Sequence, residues 1–213
     1  MWPDAHTAAL WLAVVAIGAY HGLNPAMGWP LAVANGLSAR RGAAVFATLL
    51  PLGAGHFLSM AVVLVPFALL STVAAWSRPV RIGAALLLMG FGVYRLVDRR
   101  HPRWLVRIRP TQLALWSFLI ATAHGAGLML LPVALGLCTT ATGLAPPPAV
   151  GAGVALLVAS VHTAAMLAAG GCVAWLVYRT FGLRLLNRGW LDLETVWAAS
   201  LVLAGAAGIA FAW

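Results

Sequence analysis

The chain has 213 residues, of which 63% are hydrophobic and 8% charged, with a mean hydropathy of +0.96. Soluble domains carry roughly 25% charged residues, so a water-soluble globule is excluded, and two cysteines in so apolar a chain exclude a disulfide scaffold and a disordered segment. The net charge of +9 comes from 13 Arg and no Lys against Asp4, Asp98, Asp192 and Glu194; the arginines cluster between apolar runs, which reads as topology information and contact with anionic lipid heads rather than a nucleic-acid footprint.

A helical span takes about 20 residues, because each rises about 1.5 Å across a hydrocarbon core of about 30 Å. The expected fold is therefore all-α, a polytopic membrane protein of about six transmembrane helices. The N-terminus carries Asp4 and no basic region, and the apolar run behind it is too long for a signal-peptide core, so the first helix is expected to stay in the mature chain. Between Asp4 and Arg40 one over-length run is interrupted at His21-Gly-Leu-Asn-Pro25, which predicts a broken span. Gly42 to Ser77 gives a second span and Ile82 to Val97 a third. Residues 98–110 carry Arg99, Arg100, Arg103, Arg107 and Arg109, with Trp104 as an interfacial anchor, and read as a surface linker. The uncharged stretch that follows is divided by Pro146-Pro147-Pro148 into spans at roughly 111–138 and 149–178, and 195–213 closes the set.

The two halves, about 5–97 and 111–213, resemble each other. Ala19-Tyr-His21-Gly22 recurs as Thr122-Ala-His124-Gly125, each followed by a Met (Met27, Met129) and a Pro (Pro30, Pro132). His56 with Met60 recurs as His162 with Met166, at separations from the first His of 56 − 21 = 35 and 162 − 124 = 38. Three spans per half would insert the second half from the opposite side, giving inverted repeats with a site near the midplane. The arginine bias assigns Arg40, Arg41, Arg95 to Arg109, and Arg179 to Arg188 to the cytoplasmic side of a bacterial inner membrane, with both termini outside.

His21, His56, His124 and His162 each fall well inside an apolar run. An ionisable group at that depth is costly and marks an ion path or cofactor unless it merely hydrogen-bonds a neighbouring helix. Met60 and Met166 follow His56 and His162 at i+4, on one helix face. Imidazole suits several transition metals and thioether shifts preference toward soft ions. Asn24 offers an amide oxygen at the helix break. The predicted metal ligands are thus His21, His56, His124 and His162, with Asn24, Met27, Met60, Met129 and Met166 completing the binding set. Cys138 and Cys172 lack redox or zinc spacing and read as small core residues, while Gly151-Ala-Gly153 and Gly170-Gly171 read as close helix contacts.

His21-Gly-Leu-Asn-Pro-Ala-Met27 and Gly55-His56 resemble motifs of the nickel/cobalt transporter and urease-accessory (NicO-like) permeases, within a wider LysE-like superfamily. In those motifs an early His is followed, after four residues, by Asp-His, and a Gly-His lies on the next helix. Ala26 and Met27 stand where the family has Asp and His. The resemblance implies a permease for a soft or borderline cation such as copper, nickel or cobalt. It implies no enzyme activity and no resident cofactor; the metal would be cargo, and the bilayer the main partner, with self-association left open. Two alternatives stand beside it: a b-type haem carrier using paired imidazoles, and a LysE-like exporter of a small organic solute bound at a broken-helix N-terminus.

Overall fold

The computed structural model describes residues 5–70, 112–140 and 148–180, with isolated helical positions between 82 and 97 and between 199 and 209. The expected spans at 82–97 and 195–213 are otherwise outside the described residues, as is the linker 98–110. Every regular element among the described residues is helical: α1 (Ala5–Leu23), a 3-10 turn (Pro25–Met27), α2 (Trp29–Ser38), α3 (Gly42–Leu70), α4 (Leu113–Ala123), α5 (Ala126–Thr140) and α6 (Pro148–Thr180).

Three helices are long and apolar enough to cross a membrane, at Ala5–Leu23, Gly42–Leu69 and Ala149–Thr180. A fourth crossing forms if the bent pair Leu113–Thr122 and Ala126–Cys138 counts as one span. Leu12, Leu50, Leu115, Leu157 and Leu176 are exposed on their outer faces, the surface a helix presents to lipid rather than to water. The molecule is an all-helical membrane protein.

The interruption in the first run falls at Asn24-Pro25, within the expected His21 to Pro25 segment. Helix α1 continues through His21 to Leu23; Asn24 is extended (φ −71°, ψ 121°), as a residue before proline must be, and its Oδ1 accepts the Ala26 amide at 3.0 Å. Gly28, at φ 101°, reverses the chain into α2, a left-handed geometry that only glycine adopts without strain. The Trp29 indole donates to the Leu23 carbonyl at 3.2 Å, satisfying one of the carbonyls that the break strands. The span expected at 111–138 is also broken: α4 meets α5 at 67° across His124 and Gly125 (φ 69°). Both His-Gly pairs therefore sit at the C-terminal end of a helix.

Packing directions follow from small residues. Gly18 lies against His162 and Ala165, and Gly22 against Met166 and Gly170, so α1 runs parallel to α6. Ser117 donates to the Leu52 carbonyl at 2.6 Å, and Ser59 meets Thr122 at 2.9 Å, so α3 runs parallel to α4. Gly171 touches Leu49, Gly53 touches Leu167 and Gly151 approaches Ala68, so α3 and α6 are antiparallel. Gly18 and Gly22 form a Gly-x-x-x-Gly seam, which lets backbones approach without a side chain between them. Two expectations need correction. Gly153 faces open space rather than a helix, since a Cβ there would meet nothing within 4 Å. Cys172 is exposed, whereas Cys138 is buried as expected.

The core divides into two apolar clusters. One gathers Val14, Met60, Leu64, Leu130, Leu131 and Val158; the other gathers Met27, Trp29, Leu49, Leu52, Trp116 and Met166. Along α3, Leu52 belongs to the second cluster and Met60 to the first, with His56 between them; along α6, Ala159 belongs to the first and Met166 to the second, with His162 between. The histidines form a polar layer separating two apolar halves. At the far end of the second cluster Gly42 and Gly36 touch Trp175 and Tyr178, and the Arg179 guanidinium lies 5.5 Å over the Trp175 ring. Arg40, Arg41 and Arg179 thus occupy one end of the bundle, in line with the arginine count.

Candidate metal centre

Each histidine reaches the centre because of where its helix ends or crosses. His21 occupies the last turn of α1, and its Nδ1 donates to the Ile17 carbonyl at 2.9 Å; His124 caps α4, and its Nδ1 donates to the Ile120 carbonyl at 2.8 Å. The same i−4 bond recurs in both halves of the chain. It fixes the tautomer in which Nε2 carries the ring lone pair, the form that ligates a metal. His56 and His162 sit near the middle of α3 and α6, where these cross the broken helices.

Three of the four imidazoles are in mutual contact. Ring centroids of His21 and His162 are 4.9 Å apart, those of His56 and His162 5.4 Å, and those of His21 and His56 5.8 Å. All three side chains are buried, at 0 to 1% exposure. His124 is buried too, at 8%, and lies within electrostatic reach of His21 and His56. The four-histidine convergence expected from sequence thus resolves into a triangle of three with His124 beside it.

The donor inventory at this layer is unusual for a core. His56 Nε2 and both ring nitrogens of His162 are buried without a hydrogen-bond partner; the Val14 carbonyl lies near His162 but outside hydrogen-bonding geometry. Buried polar atoms are nearly always paired, and each exception asks for an explanation. Three imidazoles ligating one tetrahedral ion through nitrogens at about 2.0–2.1 Å would hold their ring centroids about 5 Å apart. The observed triangle has that scale. The rings nevertheless do not encircle a common point as they stand: His56 and His162 are nearly parallel, at 11°, and no group of three His, Cys, Asp or Glu among the described residues is poised to grip an ion. Ligation requires the two unanchored rings to turn about their side-chain torsions, while the Ile17 bond holds His21.

The field at the site favours cations. His21 and His124 both stand at helix C-termini, where unpaired carbonyls concentrate partial negative charge equivalent to roughly half an electron. None of the four acidic residues lies in α1 to α6. Among the described residues, a bound ion would therefore be held by neutral donors and helix dipoles.

The remaining predicted ligands separate. Asn24 spends its amide oxygen on the Ala26 amide and serves the break rather than the triangle. Met60 packs in the first apolar cluster, on the opposite side of the histidine layer from Met27 and Met166 in the second. Met129 is buried but belongs to neither cluster. The i+4 spacing put each Met on its His face, but antiparallel helices send those faces in opposite directions along the bundle. Sequence reasoning overlooked Thr163, whose buried hydroxyl has no partner, and Trp116, whose buried indole N–H has none. It also overlooked the Ser59, Ser117 and Thr122 seam between α3 and α4. Hydroxyl residues are common in membrane helices, so only a packed neighbour distinguishes these.

Set against protein-family models, characterised proteins and solved structures, the chain matches none of them.

Proposed function

We propose that the chain is a transporter for a transition-metal cation, with His21, His56 and His162 as the midplane ligands and His124 completing or relaying from them. The observation that carries this reading is the triangle of buried imidazoles, drawn from three helices and holding nitrogens that the protein leaves unsatisfied. A structural histidine would bond its neighbours; a ligand needs its lone pair kept available. The two broken helices supply the carbonyl ends that cation carriers use around such a site. The wider architecture in this proposal is six spans in two oppositely inserted halves. Parallel pairing of α1 with α6 and of α3 with α4, around an antiparallel α3 and α6, is what a twofold axis in the membrane plane would generate. Rocking one half against the other would expose the histidine layer to each side in turn. A distant kinship with the NicO-like permeases fits this scheme, as does a bacterial inner membrane with the arginine-rich end inside.

The geometry supports the alternatives less well. A porphyrin between two axial imidazoles needs a wide slot, but Gly22, the glycine that would admit it, is filled by the backbone of Met166 and Gly170. A zwitterionic solute would need an anionic partner for its ammonium, and no carboxylate lies in these helices. The test is metal binding and flux by purified protein in proteoliposomes, loaded in turn with Ni(II), Co(II) and Cu(I), beside His21→Ala and His162→Ala. Metal-dependent flux lost in folded variants supports the assignment; flux unchanged by both substitutions defeats it, and a Soret band would move it to the haem class.

A further inference from the structure

Beside the histidine layer, on its arginine-rich side, a crevice is lined by Gly22, Met27, Trp29, Leu52, Met166 and Gly170, with Leu49 and Leu167 completing its wall. It has room at its centre for about one water-sized particle. Both methionines are buried, at 6% and 3%, yet both border this space. They come from unrelated elements: Met27 from the 3-10 turn at the helix break, and Met166 from α6 one turn beyond His162. Gly22, which follows His21 in the chain, lines the crevice. On the other side of the layer, Met60 is fully buried within a packed apolar cluster.

We infer that Met27 and Met166 form a second cation station, next to the imidazole triangle, and that the cargo is a soft monovalent d10 ion, Cu(I) in the chemistry of this site. This rests on the transport reading above and narrows it. Two arguments converge. Thioether sulfur is uncharged and soft, and selects Cu(I) over the harder divalent ions. The lining is otherwise apolar and no carboxylate lies in α1 to α6, so no acidic ligand among these helices neutralises the ion's charge. The desolvation cost of an ion grows with the square of its charge, which makes a divalent ion in this crevice about four times as costly as a monovalent one. The crevice lies in the apolar cluster on the side of the histidine layer that ends at Arg40, Arg41 and Arg179.

The test uses full-length protein in detergent with Ag(I), a redox-inert probe for Cu(I), and with Co(II) as the borderline comparison. Met27→Leu, Met166→Leu and the double variant keep volume and apolarity, so folding should be retained. Met60→Leu is the control, since its sulfur faces the other cluster. The double variant should lose Ag(I) affinity by about tenfold or more while Co(II) affinity stays within about twofold, and sulfur scatterers should vanish from the silver X-ray absorption spectrum. Met60→Leu should change neither. Equal Ag(I) affinity in the double variant, or a wild-type silver spectrum without sulfur, overturns the station. Co(II) bound through histidine with Ag(I) indifferent to both methionines overturns this inference alone; failure of wild-type protein to bind either ion overturns the transport reading with it.

Discussion

Replacing His162 by Leu separates a ligand from a structural histidine. The ring is wholly buried among α1, α3 and α6, and neither nitrogen has a hydrogen-bond partner. An unpaired buried polar group costs about 1–3 kcal/mol, and the membrane interior supplies no water to relieve it. Leucine is close to imidazole in volume, and a volume-matched apolar side chain settles into a packed site for under about 1.5 kcal/mol. The balance runs from near zero to about 2 kcal/mol in favour of the variant. Metal-free His162→Leu should therefore unfold at or above the wild-type temperature in the same detergent. With saturating metal the order should reverse, because a ligand that binds only the folded state raises the wild-type midpoint and leaves the variant where it was. The readout is thermal unfolding followed by intrinsic fluorescence and monodisperse elution, with and without metal. A metal-free loss greater than about 2 kcal/mol would show that the imidazole is interhelical glue. A metal-induced shift that survives in the variant would show that the triangle is not where the ion binds.

Two further outcomes test the packing beneath the site. Gly18→Ala sets a methyl 2.5 Å from the His162 carbonyl and 2.9 Å from the Ala165 Cβ; α1 must draw back by up to about 1 Å, costing about 1–3 kcal/mol before a helix-propensity gain of up to about 1 kcal/mol, and metal affinity should fall with it. Gly153→Ala meets nothing within 4 Å and should raise the unfolding midpoint; equal midpoints for the pair would contradict the seam between α1 and α6. Arg40 holds φ 51° where the chain leaves α2, with the Arg41 amide bonded to the Gly36 carbonyl at 3.1 Å. Arg40→Gly should therefore stabilise the protein by about 1 kcal/mol in thermal or denaturant unfolding, and a loss of stability would mean that the arginine side chain contributes more than its backbone strain costs.

Much of the site was legible because burying an ionisable group in hydrocarbon is expensive enough to stand out in one sequence. His21, His56, His124 and His162 could be named from their depth, and the helix interruption near Asn24-Pro25 from the missing amide of proline. The pairing of the two His-Gly breaks was visible as an internal repeat. The i−4 bonds of His21 to Ile17 and of His124 to Ile120 were not, because Ile reads only as an apolar residue until its carbonyl is seen at a helix end. Likewise Gly18 and Gly22 are ordinary glycines of an apolar run until α6 lies against them.

Composition and run length alone pointed to a helical membrane protein, because uninterrupted apolar runs of about 20 residues or more suit a helix, which satisfies its own backbone across the bilayer. They also marked which polar groups sit deepest. Only the tertiary structure decided that three of the four imidazoles touch and that Met27 and Met166 share one crevice while Met60 faces the other way. Helical periodicity fixes the side of a helix on which a residue lies, but the direction in which that helix crosses its neighbours is set by contacts between glycines and carbonyls far apart in the chain. That relative direction carries Met60 away from Met166.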